Sequence, residues 1–238
     1  WGAGIYSEDS NFDIENSELI LNHAYVEGGA IYQSGNSILI SGTAVTGNIG
    51  LDFGGALVCY NGLLDIQNST VAGNDANYGS ALNLREAALS MKNSIFWENG
   101  ENSFYVSSGN QSSMITVEYS NFYGGEEYLS SSSNTIVNWG IGNINSDPLF
   151  CNPGENNYGL QENSICLTAS DSSGLIGAFG ESCGQQLSVQ QSQIPINFEL
   201  FQNYPNPFNP ETIIRFNVKN SEKINISIFT INGVLIKE

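Results

Sequence analysis

Positive charge is what this 238-residue chain has least of: 6 Lys and Arg stand against 24 Asp and Glu, a formal net charge of −18. Only Arg85 and Lys92 precede residue 200. A surface this acidic repels phosphate backbones, which argues against nucleic acid and anionic membranes as partners. No apolar run approaches the ~20 residues that a membrane-spanning helix needs, so no transmembrane segment is expected. His23 is the only histidine and has no Ser or Cys in register with it, so a catalytic triad is not expected. The cysteines, at 59, 151, 166 and 183, have neither the spacing nor the histidine neighbours of a zinc site. No metal or cofactor site is indicated, although the Asn/Asp-rich turns leave calcium open. A basic leader followed by an apolar segment is also missing; the chain opens on Trp1-Gly2, inside a repeated phrase, and reads as a fragment.

Helical periodicity is absent from the first half as well, and a different period takes its place. The phrase Gly2-Ala3-Gly4-Ile5-Tyr6 returns as Gly28-Gly29-Ala30-Ile31-Tyr32, Gly54-Gly55-Ala56-Leu57-Val58 and Gly79-Ser80-Ala81-Leu82-Asn83, at steps of 26, 26 and 25 residues. A fixed period in this range marks a repeat architecture in which each unit is stabilised by its neighbours. Apolar columns run in the same register: Phe12, Ile38, Leu64, Leu89, Ile115; then Ile14, Ile40, Ile66, Met91, Val117; then Leu19, Val45, Val71, Phe96, Phe122. The first two columns lie two residues apart, which is the strand period. Several short strands per turn, broken by Gly, Asn and Ser, specify an all-β parallel β-helix. Five coils between Ile14 and Val117 would rise roughly 24 Å at one strand spacing each.

Two polar columns accompany the apolar ones: Ser17, Thr43, Ser69, Ser94, Ser120 and Asn22, Asn48, Asn74, Asn99. Stacked at strand spacing, asparagine amides can bond to one another along the axis, and asparagine accepts the left-handed φ of a turn. A structural turn ladder is therefore expected, with a ligand-binding ladder as the alternative. The Gly-Gly-Ala phrase is followed by a strand and not by a helix, so it reads as a sharp corner and not as a phosphate cradle. The pattern degrades after Phe122; Ile136, Val137, Ile141 and Ile144 suggest one or two irregular closing coils that shield the end of the core.

These repeats resemble the right-handed parallel β-helix repeat proteins, with Gly-Gly-Ala-Ile phrasing like that of polymorphic outer-membrane and adhesin-type surface proteins. Asp147-Pro148-Leu149-Phe150, Tyr158-Gly159-Leu160-Gln161, Ser164-Ile165-Cys166 and Ile176-Gly177-Ala178-Phe179-Gly180 resemble the closing segment of bacterial secreted β-helix proteins, although Ile165 stands where that segment has proline. Further on, Phe198 to Thr212, centred on Tyr204-Pro205-Asn206-Pro207-Phe208-Asn209-Pro210, resembles the start of type IX secretion (Por) C-terminal sorting domains. An immunoglobulin-like module of the flagellar hook-capping kind, which opens on a similar phrase, is the alternative. The prolines stiffen an extended lead into the strands expected at 213–218 and 224–231, the latter ending at an Asn232-Gly233 turn. The expected organisation is a β-helix over 1–183, with residues from about 126 closing it, a Gln/Ser-rich linker at 184–196, and a truncated, partial β-sandwich-like sorting domain at 197–238.

The resemblances imply a secreted or cell-surface protein, attached at the outer membrane, that uses the type IX machinery and contacts polysaccharide or a host surface. In an oxidising compartment a disulfide among the last three cysteines is expected. Cys151 with Cys166 is the preferred pairing, which leaves Cys183 unpaired; Cys59 reads as a buried thiol. No catalytic residues can be named. A polysaccharide lyase needs cations and calcium carboxylates, and Arg85 has no carboxylate cluster in register with it. A hydrolase needs carboxylates flanking a bond, yet the adjacent acidic pairs, Glu8-Asp9 and Glu126-Glu127, read as solvated loop charge, and His23 reads as a turn residue beside Asn22. Tyr25, Tyr60, Trp97, Tyr123 and Trp139 could stack on sugar rings, but they share no column. The alternative to a non-catalytic surface protein is a lyase or hydrolase whose active coils lie upstream.

Overall fold

In the computed structural model the chain divides into two compact units, Trp1–Gln185 and Gln186–Glu238. The structure describes residues 2–100, 102–107, 109–130, 135–172 and 174–183 of the first, and the backbone of four short strands in the second.

The first unit is a parallel β-solenoid of about five turns. Its first face stacks Ile5–Glu8, Ile31–Ser34, Leu57–Tyr60, Leu82–Arg85 and Phe104–Val106. The second stacks Phe12–Glu15, Ser37–Ser41, Leu63–Gln67, Ala88–Lys92, Ser113–Glu118 and Thr135–Trp139. The third stacks Glu18–Ile20, Ala44–Thr46, Thr70–Ala72, Ile95–Trp97 and Asn121–Phe122. A short fourth sheet of His23–Ala24, Ile49–Phe53 and Asp75–Tyr78 leads back to the first face. His23 thus lies in a strand, paired with Ile49, and not in the expected turn.

Register is the organising fact. Ile14 pairs with Ile40, Ile40 with Ile66, Ile66 with Met91 and Met91 with Val117. Alternate residues of each strand point inward, so these columns form one continuous interior with Val45, Val71, Phe96 and Phe122 from the third face. Each fully buried side chain of this size contributes about 1.5–3 kcal/mol of hydrophobic stabilisation. The corners into the first face need left-handed backbone: Gly28, Gly54 and Gly79 have φ of +70°, +62° and +65°. A Cβ on the adjacent Gly29 would lie 2.0 Å from the Gly55 carbonyl oxygen. Where the fourth repeat has Ser80 at that position, its hydroxyl bonds the Ala76 backbone on both N–H (3.0 Å) and carbonyl (3.1 Å).

The asparagines form a buried ladder. Asn22, Asn48 and Asn74 each donate from Nδ2 to Oδ1 of the next, at 2.9, 2.9 and 2.8 Å. Those oxygens also accept the backbone N–H of the preceding asparagine. Asn48, Asn74 and Asn99 donate in turn to the Leu19, Val45 and Val71 carbonyls of the previous coil. The Ser/Thr column does a similar job, with Thr43, Ser69, Ser94 and Ser120 hydroxyls accepting backbone N–H groups of the column residues before them.

The end of the unit keeps one irregular closing coil, in which Ile136 and Val137 pair with Met114 and Ile115 and Ile144 bridges to Asn121. The helix Gly125–Ser130 places Leu129 in the core, and Glu126 and Glu127 lie in its first turn, not in a loop. Thr135–Trp139 adds a sixth rung to the second face. After that the chain leaves the stack. Phe150, Tyr158, Leu160, Cys166 and Ile176 pack on Ala72, Ile95 and Trp97, the outward side chains of the third face. Residues 147–183 therefore form a strap along the flank. Its polar fastenings are Lys92 to Asp171 at 2.8 Å, a reciprocal Asn93–Asp171 pair, and Ala178 N–H to Thr70 Oγ1 at 3.0 Å. The outer side of the third face accepts the strap because it carries Ala, Thr, Ile and Trp instead of charge.

The disulfide also differs from the preferred pairing: Cys151 bonds Cys183, with Cα atoms 5.2 Å apart. The reason is local. Phe150–Asn152 pairs with Asn157–Leu160, and Leu160 bridges to Glu181, which brings the strap's end back beside Cys151. Cys166 points the other way, into the flank cluster, where its sulfur accepts from Asn121 Nδ2 at 3.2 Å. Cys59 and Cys166 are free and buried; burial pushes the Cys59 thiol pKa up to about 12.

In the second unit Glu199–Leu200 pairs antiparallel with Phe216–Asn217, and Ile228–Phe229 with Leu235–Lys237. The sorting motif at 204–210, the linker at 184–196 and Asn232-Gly233 lie outside the described residues.

Replacing Asn74 with Ala orphans the Asn48 N–H inside the core and strips the Val45 carbonyl of its side-chain donor. Each buried orphan costs about 1–3 kcal/mol, so Asn74→Ala should lose about 3 kcal/mol or more in chemical denaturation, and Asn22→Ala at the ladder's end should lose far less. Without reductant, a thiol reagent should find no accessible cysteine in the folded chain and two after denaturation. A non-reducing peptide map should join Cys151 to Cys183.

Candidate binding face

The outward positions of the first face carry the densest chemistry on the solenoid. Tyr6 pairs in register with Tyr32, and their rings stack 5.3 Å apart and 5° from parallel. Tyr60, two positions further along its strand, meets Tyr32 edge-on at 5.7 Å. Stacking along the axis occupies ring faces with neighbouring rings, so the row offers a ligand chiefly hydroxyls and ring edges. A second aromatic group, Phe53, Tyr78 and Tyr105, has centroids 5.2–5.7 Å apart. Outward-pointing Val58 and Asn83 are nonetheless buried. The corner lies over Val58: a Cβ on Gly54 would approach Val58 Cγ2 to 2.2 Å.

Between the two aromatic groups runs a directional hydrogen-bond chain. Ser107 Oγ donates to Asn83 Oδ1 at 2.8 Å, and Asn83 Nδ2 donates to the Tyr60 hydroxyl at 3.0 Å. The Glu27 carboxylate lies beside the Tyr60 hydroxyl, close enough for each group to act on the other's charge. Burial raises the Glu27 pKa, and Asp52 adds to the rise; Tyr60 and Arg85 act against it. Burial, and then the Glu27 charge, push the Tyr60 phenol well above its ordinary range. Arg85 pairs in register with Tyr60 and is exposed, with no direct ion pair among the described residues. Lys92, by contrast, is held by Asp171.

Arg85 acts on Glu27 through space, with no direct ion pair between them. Glu27 lies in the corner before Gly28, off the strand columns, where its backbone bridges to Phe53. Of the residues the sequence raised as sugar-stacking candidates, only Tyr60 joins this cluster. Trp97 is buried under the strap, Trp139 packs against the core's end, Tyr25 stacks on His23, and Tyr123 lies edge-on to Trp97. Glu8 accepts from the Tyr6 hydroxyl at 3.0 Å on the same face. The Asn ladder offers a ligand little, because its inner members are buried and bonded to one another. Among the described residues no group of three or more His, Cys, Asp or Glu could hold a metal ion. An open cleft of about 570 Å³ beside the disulfide is lined by Gln161, Glu162, Asn163 and Glu181 and has no aromatic wall.

A signal for part of this face stood in the sequence: Tyr6 and Tyr32 occupy the same place in successive repeat phrases. Tyr60 stood out only as an aromatic, and Asn83 carried no signal, since neither recurs in its column.

Because burial raises the folded carboxyl of Glu27 above its ordinary 4.5, the native state holds that proton more tightly than the unfolded chain. Stability from this residue is thus fully present below the unfolded pKa and falls as pH rises through the folded one. Glu27→Gln removes the ionised form from its half-buried place. Against wild type, the variant should gain relative stability as pH rises from 4.5 toward neutral, read as the difference between two denaturation series; no pH-dependent difference would contradict the assignment.

No protein family matches the chain, and neither a curated protein nor a solved structure does.

Proposed function

We propose that this protein is a secreted, cell-surface β-solenoid that contacts polysaccharide without catalysis, and that its C-terminal segment directs type IX secretion and surface attachment. The observation that carries the binding half is the row Tyr6, Tyr32 and Tyr60, flanked by Glu8 and Glu27 and spread over successive coils. Such a row repeats its contacts at strand spacing, about 4.8 Å per coil, which suits an extended polymer better than a small molecule. A sugar ring combines polar edges with apolar patches, and hydroxyls interleaved with aromatic edges complement both. The secretion half rests on the Tyr204-Pro205-Asn206-Pro207-Phe208-Asn209-Pro210 resemblance. A disulfide in the strap fits an oxidising compartment.

Among the described residues Arg85 is the single cation on this face, a sparse set for a lyase. The full chain applied to a glycan array, with a parallel assay for new reducing ends and unsaturated products, tests the reading. Binding without product is the expected result. Product formation, or no binding to any glycan, would overturn it.

A further inference from the structure

We infer that Glu27, Tyr60, Asn83 and Arg85 form a single sugar subsite that selects an uncharged glycan; this rests on the polysaccharide reading and adds the ligand class to it. The hydrogen-bond chain has a fixed direction. Ser107 donates to Asn83 and Asn83 to the Tyr60 hydroxyl, which leaves the phenol proton facing the neighbouring Glu27 carboxylate, an acceptor with lone pairs to spare. Arg85, in register beside Tyr60, offers donors without a direct ion-pair partner among the described residues. An acceptor and a donor on either side of a phenol match neighbouring sugar hydroxyls, one of which donates to Glu27 while the next accepts from Arg85.

The same pair works against charged ligands of either sign. A uronate carboxylate would pair with Arg85 but meet Glu27, with Asp52 close enough to act on it, under the long-range field of a chain at −18. A glucosamine ammonium would satisfy Glu27 but meet the Arg85 guanidinium. Like-charge juxtaposition is a specificity device, because it penalises the wrong partner more than it rewards the right one. A neutral hexose or pentose polymer meets neither penalty.

The test uses the full chain in calorimetry at pH 6 with three probe sets: neutral cello-, manno- and xylo-oligosaccharides, oligogalacturonate, and glucosamine oligomers with free amines. A neutral set should bind best. Tyr60→Phe and Arg85→Gln should each weaken it roughly tenfold, the loss of one hydrogen bond involving or adjoining a charged group. Glu27→Gln should weaken the neutral ligand and raise oligogalacturonate affinity relative to it. Arg85→Glu should do the same for the glucosamine oligomer, and thermal melting checks that each variant is folded. A wild-type preference for a charged set would overturn this inference while leaving glycan contact standing. Neutral binding that ignores Tyr60→Phe and Arg85→Gln would place the ligand elsewhere and also overturn it. Failure of all three sets to bind would overturn both this inference and the polysaccharide reading.

Discussion

In-register parallel pairing is the constraint from which the remaining structure follows. Once Ile14 sits on Ile40 and Ile40 on Ile66, every residue meets its counterpart about one strand spacing away. That rewards apolar columns and makes an asparagine column a chain of mutual donors and acceptors. It also penalises like charges, which are destabilising when directly opposed. The acidic residues respect this. Asp13 pairs with Leu39, and Leu39 with Asp65, so two aspartates of one column are separated by a leucine. Glu15, Ser41, Gln67, Lys92 and Glu118 form a column in which the single lysine sits directly below the second glutamate. Glu18 faces Ala44, and Glu8 faces Ser34. A chain at −18 can wind into a solenoid because its carboxylates are staggered.

The flank strap solves a different problem, the apolar outer side of the third face. Thr70–Ala72 and Ile95–Trp97 are buried on both faces, which a two-layer wall of solvent and core would not produce. Residues 147–183 supply the second layer, and the ring of Tyr158 lies against Gly73: a Cβ there would meet its hydroxyl at 2.0 Å. A glycine at that rung serves the strap's close approach as well as the solenoid's own left-handed turn, where its φ is +65°. Lys92 is also drawn into fastening the strap, which among the described residues leaves Arg85 as the one cation without an ion pair.

How much of this could be read from the sequence depends on whether a residue's meaning repeats. The columns through Ile14, Val45 and Asn22 are legible because each rung states the same residue type at a step of 25 or 26. The strap is not, since Phe150, Tyr158 and Ile176 belong to no period and find the third face only in space. Cysteine spacing could not pair Cys151 with Cys183, because the approach depends on Leu160 bridging to Glu181. His23 looked like a turn residue beside Asn22, but the turn ends one residue earlier than the asparagine suggested. Glu126 and Glu127 read as loop charge because a helix as short as Gly125–Ser130 has no periodicity to detect.

The candidate subsite follows the converse rule: it lies where the columns stop agreeing with themselves. Glu27 shares its rung position with Phe53 and Tyr78, so a charge stands where the next two coils place aromatic rings. Tyr60 stands between Ser34 and Arg85 in its column, and Asn83 follows Tyr32 and Val58 in its own. None of these positions faces the interior, where a lapse would orphan a ladder bond or open a void. Fold specification and ligand specification therefore occupy different sides of the same strands. Inward, the repeat must be monotonous to stack; outward and at the corners it is free to vary, and a cluster of four unlike polar groups, bonded in one direction, is the variation that the solenoid's geometry brings together.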